Sequence, residues 1–208
     1  MAKQIEGVYE RILDCAKKEF LEKGFISASL RVIAANANTS TNSIYVRFKD
    51  KEGLFEAIVS PALDGMMDMF CKSQETFHSF DAETQKAQVN NYSFNAMDRI
   101  LDYIYEHFDE FRLLLDASYG TRFHNFIDTL VRLEVEYTYK YMEAVGCVGV
   151  KAGEITEDFI HIVTTSYFEG VFEVVRHGMD RNTAGEYLRL LEEYHAAGFD
   201  TFFRYRND

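Results

Sequence analysis

The sequence predicts an all-α protein. Its 208 residues include one proline and 12 glycines, which is too few turn-forming residues for a β-rich chain of this length. Apolar residues make up 47% and aromatic residues 15%, enough to bury a core in one or two domains. Apolar side chains also recur at steps of three and four, the helical period. We therefore expect an N-terminal three-helix domain followed by a larger helical domain.

Neither a secretion signal nor a membrane span is apparent. The amino terminus carries charges every few positions, and no apolar run approaches the length of about 18 residues that a bilayer requires. Cys15, Cys71 and Cys147 are odd in number and widely spaced, unlike a disulfide framework or a zinc knuckle. We expect these thiols to be reduced in a cytoplasmic protein. A role for one of them in sensing redox state is the alternative.

Charge is unevenly distributed along the chain. Residues 1–55 hold nine Lys and Arg against seven Asp and Glu, a net charge of +2, whereas residues 56–208 hold thirteen against twenty-seven, a net charge of −14. Long-range attraction to a polyanion requires concentrated positive charge. A nucleic-acid partner would therefore have to meet the first segment.

The first predicted helix covers residues 5–23, and Gly24 follows it where a left-handed C-terminal cap belongs. Its apolar residues share one helix face. They are Ile5, Val8, Ile12, Ala16 and Phe20.

A pair of short helices follows. Leu30, Ile33 and Ala34 form an apolar stripe that ends at the asparagine-rich stretch 36–38, where Asn38 can adopt the left-handed conformation of a tight turn. Ser40 is the predicted N-cap of the next helix. The inward residues of that helix would be Ile44 and Phe48, and Asp50 would cap the helix after it.

This arrangement is a helix-turn-helix, whose second helix enters the major groove of DNA. At the exposed start of that helix, the Asn42 amide can bond adenine and the Thr41 methyl can meet thymine, while Ser43 bonds either base type. Tyr45 and three cations lie just beyond and could hold phosphates. The cations are Arg47, Lys49 and Lys51. Helix pairs of this kind also occur in proteins that do not bind DNA. The pattern alone is therefore compatible with a DNA-binding and with a purely structural helix pair.

Three motifs carry a resemblance to a known family. They are A-x-x-x-F-x-x-x-G-F at residues 16–25, S-L-R-V-I-A at 29–34 and S-x-x-x-I-Y-x-x-F-K-x-K-E-x-L-F at 40–55. From about Ile12 to Phe55 the chain resembles the TetR family of transcriptional repressors. The resemblance implies a helix-turn-helix domain over residues 1–50 and a helical ligand-binding and dimerisation domain over 51–208.

Carried over by position, the resemblance implies that Ser40 caps the recognition helix and that Tyr45 and Lys51 hold phosphates. The sequence departs from the family pattern at Asn38 and Thr39 in the turn, at Thr41 and Asn42, and at Arg47, so the operator should differ. The predicted DNA-contacting residues are Ser29, Arg31, Ser40, Thr41, Asn42, Ser43, Tyr45, Arg47, Lys49 and Lys51.

The sequence of the larger domain predicts further helices. We predict them at about 51–78, 84–108, 109–118, 122–145, 154–178 and 181–205. In the second of these, a stripe for burial consists of Phe94, Met97, Leu101, Ile104 and Phe108. The glycine-rich stretch 146–153 is a predicted loop without a nucleotide-binding pattern.

The resemblance also implies a homodimer in which the last two long helices pair with their counterparts. Candidate faces are Ile160, Thr164, Tyr167, Val171 and Val174 on one helix and Leu188, Leu191, Tyr194 and Phe199 on the other, with Gly170 allowing close approach. Burial in the chain's own core is the alternative use of both stripes.

A regulator of this kind needs a ligand cavity, and such cavities are mostly apolar with few polar anchors. The candidate lining is Phe70, Tyr92, Asn95, Met97, Phe111, Tyr119, Phe123, His124, Phe126, His161 and Tyr167. Since no lysine or arginine dominates this set, a neutral or cationic apolar ligand is slightly favoured over an acid.

Two alternatives stay open. A metal-dependent helical enzyme is one, because Glu75 and His78, and Glu192 and His195, have the spacing of di-iron helix bundles; Asp158 and His161 share it. The other is an interaction protein without DNA binding. No catalytic motif is found, so we predict a DNA-binding regulator, most simply a repressor released from a palindromic operator by a small molecule, with no enzymatic activity, metal or cofactor.

Overall fold

A computed structural model describes the backbone of residues 2–148 and 155–202 and the side chains of residues 7–148 and 155–201. Every multi-residue element in these ranges is helical, which confirms the all-α prediction. The helices are α1 (Ala2–Ser27), α2 (Leu30–Asn36), α3 (Thr41–Phe48), α4 (Lys51–His78), α5 (Ala82–Glu106), α6 (Phe108–Arg112), a π-helical segment (Leu113–Ala117), α7 (Phe126–Ala144), α8 (Glu157–Arg176) and α9 (Arg181–Phe202).

Part of three sequence predictions lies outside these ranges. Residues 149–154 belong to the predicted glycine-rich loop, residues 203–205 to the end of the last predicted helix, and the side chain of Ile5 to the stripe on α1. Within the described residues, none of the helices is long and apolar enough to cross a membrane.

The chain divides into two compact units. Unit 1 comprises Met1–Gly65 and His107–His124, and unit 2 comprises Met66–Glu106 and Asn125–Asp208. This division differs from the predicted boundary at residue 50, because the start of α4 and the segment 107–124 pack with the first helices. Lys17 on α1, for example, forms an ion pair with Glu110 on α6.

Unit 1 is built around a group of phenylalanine rings. The Phe55 ring centroid lies 5.2 Å from that of Phe20, 5.6 Å from that of Phe25 and 6.1 Å from that of Phe123. Phe20 and Phe55 are fully buried. Gly24 has a φ of 69°, which ends the regular part of α1 as predicted and lets Phe25 turn inward to join these rings.

Unit 2 has its own apolar core between α5, α7, α8 and α9 and the second half of α4. Phe70 packs edge-on against Phe168, with ring centroids 6.2 Å apart. A Cβ added at Gly170 would lie 3.1 Å from Leu191 Cδ2, so this glycine allows α8 and α9 of one chain to approach closely. The close approach predicted for Gly170 therefore occurs within the chain.

Two predicted stripes are placed differently by the structure. In α5, Met97, Leu101 and Ile104 are buried as predicted, but Phe94 is 37% exposed in the largely exposed first half of the helix. Phe108 lies beyond the end of α5 at Glu106 and is half-buried. In α8, the whole predicted dimer face faces inward or is half-buried, since a regular apolar stripe serves the chain's own core first. Its buried members are Ile160, Thr164, Val171 and Val174.

Candidate nucleic-acid interface and ligand cavity

The turn before α3 has the predicted geometry. Asn38 adopts a φ of 51°, and the Ser40 hydroxyl accepts a hydrogen bond of 3.2 Å from the backbone N–H of Ser43. Ile44 and Phe48 are buried beneath the helix. A capped end and two inward anchors fix the orientation of α3, so its opposite face is presented to solvent.

That solvent face carries three side chains at helical spacing, Asn42, Tyr45 and Val46, and Lys49 follows in the turn after the helix. Asn42 and Lys49 are exposed, Tyr45 is 51% exposed and Val46 is 74% exposed. Thr41 and Ser43 are half-buried beside them. Val46 is absent from the predicted contact set, although its position four residues after Asn42 could have identified it. An exposed aliphatic group on this face has the chemistry to meet a thymine methyl.

Arg47 is held by its own helix. Its Nη1 donates to the Ser43 carbonyl oxygen at 3.1 Å and to the Ser43 hydroxyl oxygen at 2.6 Å. The two residues predicted to contact phosphate and base are thus hydrogen-bonded to each other. This bond holds the guanidinium against α3 near its N-terminal turn.

Lys51 is also engaged inside unit 1. Its ammonium donates to the carbonyl oxygens of Ile26 at 2.9 Å and Ala28 at 3.1 Å, and it lies 4.8 Å from the centre of the Phe25 ring. Burial lowers the pKa of this lysine. Lys51 therefore fixes the turn between α1 and α2, and one of its three N–H groups remains for another acceptor.

The junction between α3 and α4 is strained. Lys49 has φ 69° and ψ −52°, and the Asp50 N–H donates to the Phe48 carbonyl oxygen at 2.9 Å, which together form a γ-turn. Asp50 caps α4 as predicted, with its Oδ1 accepting from the Gly53 N–H at 2.7 Å. A Cβ at residue 53 would lie 2.0 Å from the Phe48 carbonyl oxygen, so glycine is needed at this position.

An open cleft runs along this surface of unit 1. It brings together five of the ten predicted DNA-contacting residues from three helices. The lining residues are Ala28, Ser29, Leu30, Arg31, Thr41, Tyr45, Asp50 and Lys51. Hydroxyl, phenol and cationic groups in one cleft suit a sugar-phosphate strand, while the Asp50 carboxylate, tied to Gly53, limits how closely a phosphate can approach that end.

The predicted ligand-lining residues are distributed over both units. Phe111 and Phe123 are buried in unit 1, where Tyr119 and His124 are exposed. In unit 2, Phe126 is buried, Asn95 and His161 are exposed, and the Tyr92 hydroxyl donates to the Ser73 carbonyl oxygen at 3.0 Å. The remaining three members are Phe70, Met97 and Tyr167.

Unit 2 contains a small apolar cavity of about 10 Å³, near the volume of one water molecule. Phe70 and Met97 line it as predicted, and the other lining residues come from the same helix bundle. They are Met66, Ile100, Ile104, Leu130, Phe168, Val171 and Phe172. Two methionines in this lining have the rotatable bonds that allow such a cavity to enlarge.

A polar cluster lies one helical turn from this cavity. Gln74 Nε2 donates to Glu134 Oε2 at 2.6 Å, and the Tyr167 hydroxyl donates to Glu192 Oε1 at 2.9 Å. The ring centroids of Tyr167 and His195 are 5.0 Å apart. Burial raises the pKa of Glu134 and of Glu192 to about 7 and lowers that of His195. Sequence reasoning identified only Tyr167 in this cluster as a ligand-binding candidate.

The metal-enzyme alternative gains no support from the described residues. No group of three or more His, Cys, Asp or Glu side chains there could hold a metal ion. Glu192 accepts a hydrogen bond from Tyr167, and His195 packs edge-on against that same ring, so this spaced pair has another structural use.

A capped recognition helix with a polar outer face defines a helix-turn-helix protein. Residues 12–58 match the sequence profile of the family described as "Bacterial regulatory proteins, tetR family". The chain is 41% identical over 51 residues to the uncharacterized HTH-type transcriptional regulator YvkB of Bacillus subtilis, covering 24% of this chain and 27% of YvkB. It is 31% identical over 81 residues to the HTH-type transcriptional regulator UidR of Escherichia coli, covering 39% and 41% of the two chains.

The fold extends this similarity beyond the first domain. A TetR-like transcriptional regulator from Rhodococcus sp. RHA1 superimposes with a TM-score of 0.62 at 18% identity, covering 93% of this chain and 96% of that one. At this identity the likeness shows the fold alone, and the curated relatives match over less than half of their length. The chain therefore resembles the TetR family in sequence over residues 12–58 and shares the fold of TetR-like regulators over most of its length.

Proposed function

We propose that this protein is a DNA-binding transcriptional regulator that acts in the cytoplasm as a homodimeric repressor. It binds a palindromic operator and is released by a small molecule. The single observation that carries the proposal is the solvent face of α3, where Asn42, Tyr45 and Val46 are exposed on a helix fixed by the Ser40 cap and two buried anchors. Occupying an operator is sufficient for repression and needs no activating surface.

The first turns of α3 recognise the DNA bases. Asn42 bonds an adenine edge and Val46 meets a thymine methyl one turn further along. The sugar-phosphate backbone of DNA is contacted by Tyr45, Lys49, Arg31 and Ser29, and by Ser40 at the start of α3. Arg47 and Ser43 act as a bonded pair, and Lys51 acts through the turn that it fixes and through its remaining N–H group.

The dimer forms through α8 and α9. Large apolar side chains on these helices are exposed in the single chain: Ile162 is 66% exposed, Leu190 65% and Tyr194 75%. Leu191 and Phe199 are half-buried alongside, whereas Leu188 is buried. An apolar surface of this kind suits a two-fold pairing, in which the same residues of both copies meet.

Ligand release is transmitted through the segment 107–124. The chain leaves unit 2 after Glu106, contributes this segment to unit 1, and returns to unit 2 at Asn125. Within unit 1 the Arg122 N–H donates to Glu52 Oε1 at 3.0 Å, and the Arg122 side chain forms an ion pair with Glu56. A displacement of α5 or α7 thus pulls on α4 near the start of that helix. To weaken binding about a hundredfold, a ligand must favour the released state by about 2.7 kcal/mol.

Selection of bound duplexes from a random DNA pool tests this function. The purified full-length chain should enrich a palindrome whose half-sites lie about one or two helical turns apart. A triple substitution of the α3 face, Asn42→Ala, Tyr45→Ala and Val46→Ala, serves as control and should enrich nothing. Failure of the unsubstituted chain to retain any duplex at low salt would overturn the proposal.

A further inference from the structure

We infer that the polar cluster and the adjoining cavity of unit 2 form a binding site for a hydrophobic cation, an ammonium or similar group attached to an apolar body. This inference rests on the proposed function, since it names the chemical class of the releasing ligand. The cluster consists of Gln74, Glu134, Tyr167, Glu192 and His195. The cavity is the one lined by Phe70, Leu130 and Phe168.

The first argument is a pair of carboxyl groups without a cation. Glu134 and Glu192 are half-buried, and neither takes part in any ion pair among the described residues. Their hydrogen-bond donors, Gln74, Thr138 and Tyr167, are neutral. Removing a carboxylate from water without a positive partner is energetically costly, so binding of a cation between these groups would be strongly favourable.

The surrounding charges do not supply that partner. Asp98 is close enough to raise the pKa of Glu192 further, and Glu134 and Glu192 both raise the pKa of Tyr167. The His195 ring lies 5.0 Å from that of Tyr167, but burial lowers the pKa of His195 and so disfavours its charged form. The cluster therefore repels anions and is open to a positive charge.

The second argument is geometric and independent of charge. Gln74 follows Phe70 by one turn on α4, and Glu134 follows Leu130 by one turn on α7, while Tyr167 directly precedes Phe168 on α8. Three members of the polar cluster thus lie one turn or one residue from cavity-lining residues on three helices, although none of them lines the cavity itself. The Tyr167 and Phe168 rings, 5.4 Å apart, offer π-faces at the border between the two.

These two parts match a ligand with a cationic head and an apolar body. The head would lie between Glu134 and Glu192, against the Tyr167 ring. The apolar body would enter the cavity, which must enlarge by movement of Met66 and Met97. That enlargement supplies the conformational difference that a releasing ligand requires.

Calorimetry with matched probes tests the inference on the full-length chain. Decyltrimethylammonium, decanol and decanoate share a chain length and differ in head-group charge, and each is used below its micelle concentration. The ammonium should bind at least about tenfold more tightly than the alcohol, and decanoate should bind weakest. Equal affinities for the three probes, or no binding of the ammonium, would overturn the inference.

Substitution locates the charge preference. The pair Glu134→Gln and Glu192→Gln keeps side-chain shape and should reduce ammonium affinity by about tenfold or more while leaving decanol affinity unchanged. Glu186→Gln, an exposed position on α9, is the matched control and should change neither. A preference for ammonium that survives the double substitution would contradict the assignment.

A second measurement needs no variant. Near pH 7 the two carboxyl groups are partly protonated, so binding of a cation must release protons into the buffer. The heat of ammonium binding should therefore differ between phosphate and Tris, whereas the heat of decanol binding should not. Identical heats in both buffers would place the ammonium elsewhere. Duplex binding measured on the same preparation without probe tests the proposed function separately, because either result can fail alone.

Discussion

The two units differ in how their candidate sites are assembled. In unit 1 the polar contacts at the interface join near neighbours in sequence: Ser40 with Ser43, Ser43 with Arg47 and Asp50 with Gly53. In unit 2 the hydrogen bond between Gln74 and Glu134 spans 60 residues, and that between Tyr167 and Glu192 spans 25. The side chains of a DNA-binding surface can be specified by residues close together in the sequence. An interior binding site, by contrast, forms only when distant helices pack together.

The largest effect should follow from removing the centre of unit 1. Phe55→Ala deletes a fully buried ring that contacts three other phenylalanines, so the free energy of unfolding should fall by about 3–5 kcal/mol. Denaturant unfolding measures the loss. Tyr119→Ala, at a residue 70% exposed, is the control and should change stability by less than about 0.5 kcal/mol. Similar losses of unfolding free energy in the two variants would contradict the expected difference between core and surface residues in this unit.

A pH-dependent effect should be confined to unit 2. The pKa values of Glu134 and Glu192 are about 7 in the folded chain, above the ordinary 4.5, so the folded state binds more protons between these values. Stability must then fall as pH rises through this window. Either Glu134→Gln or Glu192→Gln alone should raise the unfolding free energy at pH 8 by about 3 kcal/mol and change it little at pH 4. A stability difference independent of pH would show that neither carboxyl group resists ionisation.

Base discrimination should depend on one amide in unit 1. Asn42→Ala should lower the preference for the selected operator over a scrambled duplex by about 1–3 kcal/mol, because the amide reads a base edge. Titration of both duplexes at one salt concentration gives the preference. Asn91→Ala, an exposed site on α5, should leave it unchanged. If Asn42→Ala weakened both duplexes equally, Asn42 would be a backbone contact instead.

The smallest effect concerns the γ-turn after α3. Lys49→Gly should raise the unfolding free energy by about 1 kcal/mol, because glycine adopts φ 69° without the strain of a side chain. Lys49→Gln keeps the strain and removes only the charge, so it should leave stability unchanged. Both variants should weaken duplex binding alike. A stability gain in the glutamine variant would attribute the effect to charge rather than to backbone strain.

Sequence reasoning succeeded where a rule acts over one turn. The Ser40 and Asp50 caps, the left-handed Asn38 and the end of α1 at Gly24 all follow from local preferences, and α4 has the predicted bounds. For the α8 stripe the sequence left two uses open, a partner chain and the chain's own core, because periodicity shows that a face is buried without showing against what; its buried members pack within the chain. Glu134 gave no signal, since its burial and its bond to Gln74 arise only when α4 and α7 pack together.

Lys51 and Arg47 have a consequence for how this protein would respond to ionic strength. Of the four cationic side chains predicted to contact DNA, these two already donate to oxygens of the protein, and Arg31 and Lys49 are exposed. Hydrogen bonds to neutral oxygens leave the charges of Arg47 and Lys51 in place, so a dimer would displace roughly four condensed counterions from DNA through the exposed pair alone and roughly seven through all four side chains. Operator affinity would then fall with roughly the fourth to the seventh power of the potassium concentration.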